Sequence, residues 1–394
     1  GTAQCLVLLQ PDDLGENDGF GTSVGISGDT AVIGTIDWDD QDGGTGPLRA
    51  GAAYIFVQES GTSWVEQAKL TASDAQSEDW FGETVAINGD TVVIGAPLDD
   101  DYGSNSGSAY VFKRGTEGDW TQQAKLTADD ADAYDHFGEA VAIDQDTIVI
   151  GANNDGDYGD EEGSAYIFVR NLDGSWSQQA KLGAGDAPGY KHFGNAVSID
   201  QDTVLIGAWA DDTPSGLDRA GSAYLFIRNG NTWSKQAKLY ASDAKEEARF
   251  GSSVSVEEDT AVIGASEPYG NGAAYVFIRN ADDSWTEQAK LLPNGYATGA
   301  QFGSAVTIYA DDLLIGAPAW RPEGAIEPFY GAVYRFKRSV NIWTEQERLL
   351  EPVSADWSGF GDSVSLDAGA AVIGAPYSNV NAYDSGAAYI YQLE

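Results

Sequence analysis

The sequence is poor in the residues that build covalent cross-links, histidine metal sites and membrane spans. It has one cysteine, Cys5, so no internal disulfide can form, and it has no methionine. Its two histidines, His136 and His192, are too few for a three-histidine zinc site, and a histidine-based catalytic triad is not expected. No apolar run approaches the roughly 18 residues of a membrane helix, so direct membrane insertion is not expected.

Positive charge is also scarce. Lys and Arg number 21 against 62 Asp and Glu, which gives a formal net charge of −41 at pH 7. So acidic a surface repels nucleic-acid phosphates and anionic lipids, and those partners are not expected. The charge is typical of a protein that stays soluble in salty water or that binds cations.

What the chain has in abundance is internal repetition. The pair Phe-Gly occurs seven times, at intervals of 52 to 61 residues, and each time Ile-Gly follows thirteen positions later. The Phe residues of these pairs are Phe20, Phe81, Phe137, Phe193, Phe250, Phe302 and Phe360. Repetition over the whole chain indicates one body made of equivalent units rather than several unlike domains.

Each unit contains four short segments in which apolar and polar residues alternate with a period of two, which is typical of β-strands. In the second unit these strands are predicted at residues 81–87, 91–96, 108–113 and 120–126. The turn Asn88-Gly89-Asp90 joins the first two as a tight hairpin. Seven units of four antiparallel strands predict an all-β fold, a seven-bladed β-propeller.

The two ends of the chain are predicted to close the ring together. Six units finish with a strand that begins at Trp, but the seventh stops at Glu394 after three strands. The segment from Cys5 to Leu9 would supply the missing fourth strand and cover the free edge of the last blade. The single propeller, residues 1–394, then has blades at about 19–70, 80–126, 136–182, 192–239, 249–291, 301–349, and 359–394 together with 1–10.

The repeat resembles that of a known family. Phe81-Gly82 followed by Gly95-Ala96-Pro97 is similar to the FG-GAP repeat of the integrin α-subunit propeller, and the segment from Gln123 to Asp129 is closer still to secreted bacterial FG-GAP proteins. The resemblance implies an extracellular protein, secreted or at the cell surface, that acts in adhesion, recognition or display. It does not carry over the integrin calcium loops, because connections such as Asp144-Gln145-Asp146 are too short to supply a full set of oxygen ligands.

In such a propeller, the connections from second to third strand and from one blade to the next lie on one face, here named the upper face. These connections are long, variable and acidic, and variable loops on a rigid scaffold are where binding usually resides. Aromatic rings among the acids are suited to stacking on sugars or to holding cations, although they could instead pack between neighbouring loops. The residues predicted to bind a protein or glycan ligand are Trp38, Asp39, Tyr102, Tyr158, Trp209, Trp320, Arg321 and Tyr330.

One loop of the upper face is a candidate metal site. From Asn153 to Asp160, oxygen-bearing side chains alternate with glycines that permit tight turns. Asp155, Asp157 and Asp160 are therefore predicted to bind Ca²⁺, and no other cofactor is expected. The alternative is a solvated acidic loop without an ion.

Other recurring residues are predicted to serve the fold. An Asp seven positions before Phe-Gly is expected to shape its loop by accepting backbone N–H bonds. It is present as Asp13, Asp74, Asp130, Asp186 and Asp243. The Tyr of the third strand and the Trp that opens the fourth are expected to pack between blades. The Lys of the recurring Gln-Ala-Lys-Leu segment is expected at an exposed strand edge.

Catalytic signals are poor, and the chain is not predicted to be an enzyme. Gly21-Thr22-Ser23-Val24-Gly25 matches a serine-hydrolase pattern, but it lies in a strand and not in the strand-turn-helix that this pattern requires. The predicted function is a non-catalytic extracellular recognition or adhesion module. The alternative is a self-associating structural subunit of a surface layer or extracellular filament. A glycan-active enzyme with a carboxylate pair is less favoured.

Overall fold

The structure is a computed structural model that describes residues 4–37, 49–156, 162–186, 189–268, 270–295, 299–322, 329–352, 357–380 and 382–393. These residues form 28 β-strands, arranged as seven four-stranded antiparallel sheets. They contain no helix, and hence none that could span a membrane. The all-β, seven-bladed propeller predicted from the repeat is confirmed.

Each blade is built from four strands that are consecutive along the chain, except for the last. Blades 1 and 2 contain β2 (Val24–Ser27), β3 (Thr30–Thr35), β4 (Ala52–Ser60), β5 (Ser63–Leu70), β6 (Thr84–Asn88), β7 (Thr91–Ala96), β8 (Ser108–Arg114) and β9 (Trp120–Leu126). Blades 3 and 4 contain β10 (Phe137–Asp144), β11 (Thr147–Ala152), β12 (Ser164–Arg170), β13 (Trp176–Leu182), β14 (Phe193–Asp200), β15 (Thr203–Ala208), β16 (Ser222–Asn229) and β17 (Thr232–Leu239). Blades 5 and 6 contain β18 (Phe250–Glu257), β19 (Thr260–Ala265), β20 (Ala273–Arg279), β21 (Trp285–Leu291), β22 (Val306–Tyr309), β23 (Asp312–Ala317), β24 (Ala332–Ser339) and β25 (Ile342–Leu349). Blade 7 contains β26 (Val364–Asp367), β27 (Ala370–Ala375), β28 (Ala387–Gln392) and, from the beginning of the chain, β1 (Gln4–Leu9).

The beginning of the chain closes the ring. β1 pairs antiparallel with β28, so that Val7 lies opposite Ile390 and Leu9 lies opposite Ala388. The first strand of each blade contacts the first strand of the next, and β26 of the last blade contacts β2 of the first. The predicted closure is therefore confirmed, and the first strands surround a central channel.

The two glycines of the repeat lie where consecutive blades meet. A Cβ atom added to Gly151 in blade 3 would lie 1.9 Å from the carbonyl oxygen of Gly194 in blade 4. The corresponding distance from Gly374 in blade 7 to the carbonyl oxygen of Gly21 in blade 1 would be 2.0 Å. Because no side chain fits so close to a backbone carbonyl, glycine is required at this contact. Phe-Gly of one blade thus fits against Ile-Gly of the blade before it.

The Phe of each Phe-Gly pair is buried against two other aromatic rings of its blade. Phe81 packs edge-on against Tyr110 and Phe112, with ring centroids 5.3 Å and 6.1 Å apart. Residues of the preceding blade, such as Val32 and Ile55, complete the same apolar cluster. The core is therefore a series of clusters between blades, and the Tyr predicted to pack there is fully buried.

The Trp at or next to the start of the fourth strand also joins two blades, as predicted. The indole N–H of Trp120 donates a hydrogen bond to Gln67 Oε1 of the preceding blade at 2.9 Å, and that of Trp343 donates to Gln288 Oε1 at 3.0 Å. The acceptor is the Gln of the Gln-Ala-Lys-Leu segment. That segment therefore links the outer strands of neighbouring blades.

The first strand of blade 2 starts later than predicted. It begins at Thr84 and not at Phe81. The reason is that its pairing with β7 begins at Thr84, opposite Gly95, whereas the pairing in blade 3 begins at Phe137, opposite Ala152. Across Phe81-Gly82, the Glu83 N–H donates a hydrogen bond to the Trp80 carbonyl oxygen at 3.1 Å. The same bond spans every Phe-Gly pair, so the residue before the pair and the residue after it lie close together at the upper end of the channel.

Candidate functional site

Two rings of residues surround the upper opening of the channel. The residues that precede Phe-Gly form the mouth ring, which consists of Gly19, Trp80, His136, His192, Arg249, Gln301 and Gly359. The residues that follow Phe-Gly form the channel ring, which consists of Thr22, Glu83, Glu139, Asn195, Ser252, Ser304 and Asp362. Phe-Gly is constant, whereas both flanking positions change from blade to blade. These positions are where a constant scaffold can carry a specific function.

The mouth ring has a left-handed backbone. The angle φ is +68° at both Gly19 and Gly359, and it is +56° at Trp80 and +55° at Arg249. A residue with a Cβ atom is strained in this conformation by roughly 1–3 kcal/mol. Five of the seven positions nevertheless carry a large side chain. Strain that is retained in this way is typical of functional positions.

A cavity of about 510 Å³ opens at the mouth between blades 5, 6 and 7. Gln301 and Gly359 of the mouth ring line it, together with Asp362 of the channel ring. Loops of the upper face complete its wall, and the lining side chains from these loops include Arg321, Phe329, Trp357 and Tyr377. The cavity therefore joins the variable rings to the variable loops.

Aromatic rings give the cavity its shape. Phe329 and Trp357 pack edge-on with ring centroids 4.6 Å apart, and the Arg321 guanidinium lies 4.7 Å from the centroid of the Phe329 ring. Trp357 and Tyr377 are each 52% exposed. Exposed ring faces beside a guanidinium and a carboxylate can stack on an apolar surface and hydrogen-bond polar groups around it.

The channel ring contains three carboxyl groups whose surroundings disfavour the charged form. Burial raises the pKa of Glu83 to about 7, and the charges of Glu139 and Asp362 act in the same direction. Burial also raises the pKa of Glu139, and it raises the pKa of Asp362 to about 6. Asp362 is exposed to water by surface area, but the channel wall surrounds it, and this crowding is the cause of its shift.

Farther from the axis, recurring Asp, Tyr and Lys residues form an ion-paired cluster. In blade 2, Lys125 Nζ lies 2.8 Å from both Asp74 Oδ2 and Asp99 Oδ2, and the Tyr110 hydroxyl donates to Asp99 at 2.9 Å. The Lys of Gln-Ala-Lys-Leu lies on the outer strand of its blade, as predicted, but the expectation of an exposed side chain is wrong, because the Lys125 side chain is 18% exposed and ion-paired. The recurring Asp was expected to accept hydrogen bonds from backbone N–H groups. In the structure it accepts them from Tyr and Lys side chains, as Asp74 does from Tyr110 and Lys125.

Asp155, predicted as a calcium ligand, occupies the same place in blade 3. It is 5% exposed, accepts a hydrogen bond from the Tyr166 hydroxyl at 2.6 Å and lies 2.9 Å from Lys181 Nζ. An ion at this carboxylate oxygen would have to displace both donors. Asp157 and Asp160 lie outside the described residues, so calcium at this loop stays a prediction. In the described part of the chain, no group of three or more His, Cys, Asp or Glu is arranged to hold a metal ion.

The predicted ligand-binding residues do not form one group. Tyr102 is 59% exposed on blade 2. The Trp209 ring is stacked on His192 with centroids 4.9 Å apart, and the Arg249 guanidinium lies 4.7 Å from its centroid, so two neighbours already occupy this ring. Trp38, Asp39 and Tyr158 lie outside the described residues.

Blade 6 holds the other three. Trp320 is 4% exposed, and the Arg348 guanidinium lies 4.2 Å from its ring centroid, which leaves no ring face for a ligand. Tyr330 is half-buried and packs against the apolar cluster that contains Trp320. Arg321 alone lines the cavity. Its neighbours Gln301, Asp362 and Tyr377 were not among the predicted binding residues, and the variation at the two positions beside Phe-Gly was the signal that would have identified the first two.

Stability in metal-free buffer is expected to rise as the pH falls from about 8 to about 5. Asp79 and Asp135 are 3% and 7% exposed, and burial raises the pKa of each to about 6. The folded protein therefore binds protons in a window where the unfolded chain has released them, and protonation favours the folded state. Melting temperatures measured across this range check the sign.

Below about pH 4 the trend is expected to reverse. Burial alone would raise the pKa of Asp74, but the hydrogen bond from Lys125 holds this pKa below its ordinary value. Stability from that pair is present above the ordinary pKa of Asp and is lost as the pH falls through the lowered one. A control variant, Asp79→Asn, should flatten the slope between about pH 4 and 6. A melting temperature that falls steadily from pH 8 to 5 would contradict the prediction.

The chain was compared with known proteins. The profile of the family described as FG-GAP repeat matches residues 7–56, 64–112, 120–168, 176–226, 233–277, 285–336 and 343–391. A search of the curated proteins finds no match. The seven matched segments together cover far more than half of the sequence, and their number equals that of the blades. The chain therefore belongs to the FG-GAP repeat family.

Proposed function

We propose that the protein is a non-catalytic extracellular recognition or adhesion module that binds its ligand in the cavity at the channel mouth. Repeats of this family are typically extracellular and generally non-enzymatic. The observation that carries the proposal is the cavity of about 510 Å³, whose wall presents Trp357 and Tyr377 half-exposed beside Arg321 and Asp362. Pockets of this size, with apolar walls and a few convergent polar groups, are typical binding sites.

A glycan suits this wall best. The faces of Trp357 and Tyr377 can stack on the C–H faces of a sugar ring, while Asp362 and Gln301 can exchange hydrogen bonds with its hydroxyl groups. Arg321 is positioned by its contact with Phe329 and adds a cation that would favour a sugar with a carboxylate. An extended segment of a protein, with an aromatic and an acidic side chain, would use the same contacts.

Binding is expected to depend on Trp357. On glycan and extracellular-matrix arrays, Trp357→Ala should bind the selected ligand at least about fivefold more weakly than the unaltered protein, because a stacked indole contributes about 1 kcal/mol or more. Tyr102→Ala is the matched control, since Tyr102 is an exposed aromatic residue of the same face but does not line the cavity. Equal loss in both variants, or undiminished binding by Trp357→Ala, would contradict the proposed site.

A further inference from the structure

The connection from blade 3 to blade 4 differs from those before it at one buried position. Two residues before Phe-Gly, blades 1 to 3 have a buried Asp whose carboxylate accepts the N–H of the residue three positions earlier. Asp135, for example, accepts the Asp132 N–H at 2.7 Å. Blade 4 has Lys191 at this position, with a side chain that is 5% exposed. Because an ammonium group cannot accept a hydrogen bond, the upper face of blade 4 is built differently.

A cavity of about 450 Å³ lies beside Lys191. It is bounded by the connection from blade 3 into blade 4, by the connection from β15 to β16 and by the end of β17. The charged side chains in its wall are Asp186, Lys191, Asp211, Asp212 and Lys238. None of its lining residues lines the cavity at the channel mouth, so the two cavities are separate.

Most of the charges in this wall are paired with one another. Asp186 lies between two ammonium groups, with Oδ1 3.4 Å from Lys191 Nζ and Oδ2 2.5 Å from Lys238 Nζ. Lys238 Nζ also lies 2.7 Å from Asp211 Oδ2. A charged ligand would have to compete with these pairs, whereas a hydroxyl group can donate to a carboxylate or accept from an ammonium without adding charge. The wall therefore suits a neutral ligand that is rich in hydroxyl groups.

An aromatic ring completes the wall. Tyr190 is 51% exposed, and its ring packs edge-on against His192 with centroids 4.4 Å apart. His192 is in turn stacked on Trp209 at 4.9 Å, so neighbouring rings hold Tyr190 in place. A fixed, half-exposed ring can stack on the C–H face of a sugar with little further loss of side-chain freedom.

We propose that this cavity of blade 4 binds a neutral sugar unit. The sugar stacks on Tyr190, and its hydroxyl groups donate to Asp212 and accept from Lys191. The Asp212 carboxylate is held by the Arg219 N–H, which donates to its Oδ1 at 3.0 Å. The inference goes beyond the site at the channel mouth and does not depend on it. Two sugar sites on one face would hold a glycan chain more tightly than either site alone.

Saturation-transfer difference NMR with the methyl glycosides of glucose, galactose and mannose tests the site. The full chain carries Trp357→Ala, so that the cavity at the channel mouth lacks its stacking ring. At least one of the three glycosides is expected to bind, with a Kd on the order of 1 mM for about twelve non-hydrogen atoms. Adding Tyr190→Ala should weaken binding at least about fivefold, because the ring that stacks on the sugar is gone. Adding Asp212→Asn should weaken it at least about twofold, since a neutral amide is a weaker acceptor than a carboxylate.

A matched control and a change of salt make the result specific. Tyr134 is the residue of blade 3 equivalent to Tyr190 and is 61% exposed, but it does not line this cavity, so adding Tyr134→Ala should leave the Kd unchanged. Raising NaCl from about 50 to about 500 mM should change the Kd less than about twofold, because the ligand is neutral. The proposal is overturned if none of the glycosides binds, if Tyr190→Ala binds as tightly as its parent, if Tyr134→Ala loses as much, or if salt abolishes binding.

Discussion

Gly151→Ala is expected to lower the free energy of unfolding by about 3 kcal/mol. The new methyl carbon would lie 1.9 Å from the carbonyl oxygen of Gly194, and both atoms belong to backbone held in sheets. The clash can be relieved only by moving blade 3 away from blade 4, which would open the apolar cluster that contains Val149, Phe193 and Ile206. Chemical denaturation of the variant and the unaltered protein measures the loss.

Two glycine variants make this result specific. Gly183→Ala is the control, because a Cβ atom there meets nothing within 4 Å and its backbone is not left-handed, so a change of less than about 1 kcal/mol is expected. Gly374→Ala should cost as much as Gly151→Ala, because Gly374 meets Gly21 across the closure between the last and first blades. A mild effect at Gly374 would show that the ring is open at that interface in solution.

The fold could be predicted because its determinants are local and repeated seven times. Period-two alternation identifies the strands, and the missing Trp-led strand of the last unit identifies β1 as its replacement. The constant residues were also interpreted correctly in outline, since a position that is the same in every unit serves the contacts that every unit makes. Phe81 and Gly82 illustrate this, because one packs against Tyr110 and the other allows blades to approach.

The candidate site could not be predicted in the same way. Its residues are brought together by the packing of consecutive blades, so they lie far apart in the sequence: Gln301 belongs to blade 6 and Asp362 to blade 7. Exposure was a second obstacle, because Trp320 and Trp357 are both loop tryptophans, yet one is 4% and the other 52% exposed. The two positions that vary beside the constant Phe-Gly were the available signal.

The ion-paired clusters show why charge patterns in one repeat are easily misread. The Lys of Gln-Ala-Lys-Leu has the composition of an edge residue, but its partners come from the preceding loop and from the second-to-third-strand connection of its own blade. Blade 6 has a different pair at these positions. There Arg348 replaces the Lys and Trp320 replaces the buried Asp, and the two side chains stack at 4.2 Å in place of an ion pair.

Lys125→Ala is expected to destabilise the protein by about 3 kcal/mol. The Asp99 side chain is 2% exposed, and the change leaves its carboxylate with the Tyr110 hydroxyl as a donor but without a positive charge. Burial disfavours the ammonium form of Lys125, but hydrogen bonds from this ammonium to Asp101, Asp74 and Asp99 outweigh burial and raise the pKa of Lys125 above its ordinary value. The loss should be measured by denaturant unfolding at neutral pH, where the carboxylates are charged.

Lys290→Ala in blade 5 is the matched control for that change. Lys290 occupies the equivalent position and lies 5.2 Å from the centroid of the Tyr275 ring, the same distance as Lys125 from Tyr110. Its partner Asp243 is 48% exposed, and an exposed pair contributes at most about 1 kcal/mol. The difference between the two variants therefore reports on the two carboxylates that Lys290 lacks, the buried Asp99 and the exposed Asp101, of which the exposed one contributes at most about 1 kcal/mol. Adding Asp99→Asn to Lys125→Ala should recover part of the loss, and equal losses for the two single Lys variants would show that the buried charge is not what the Lys stabilises.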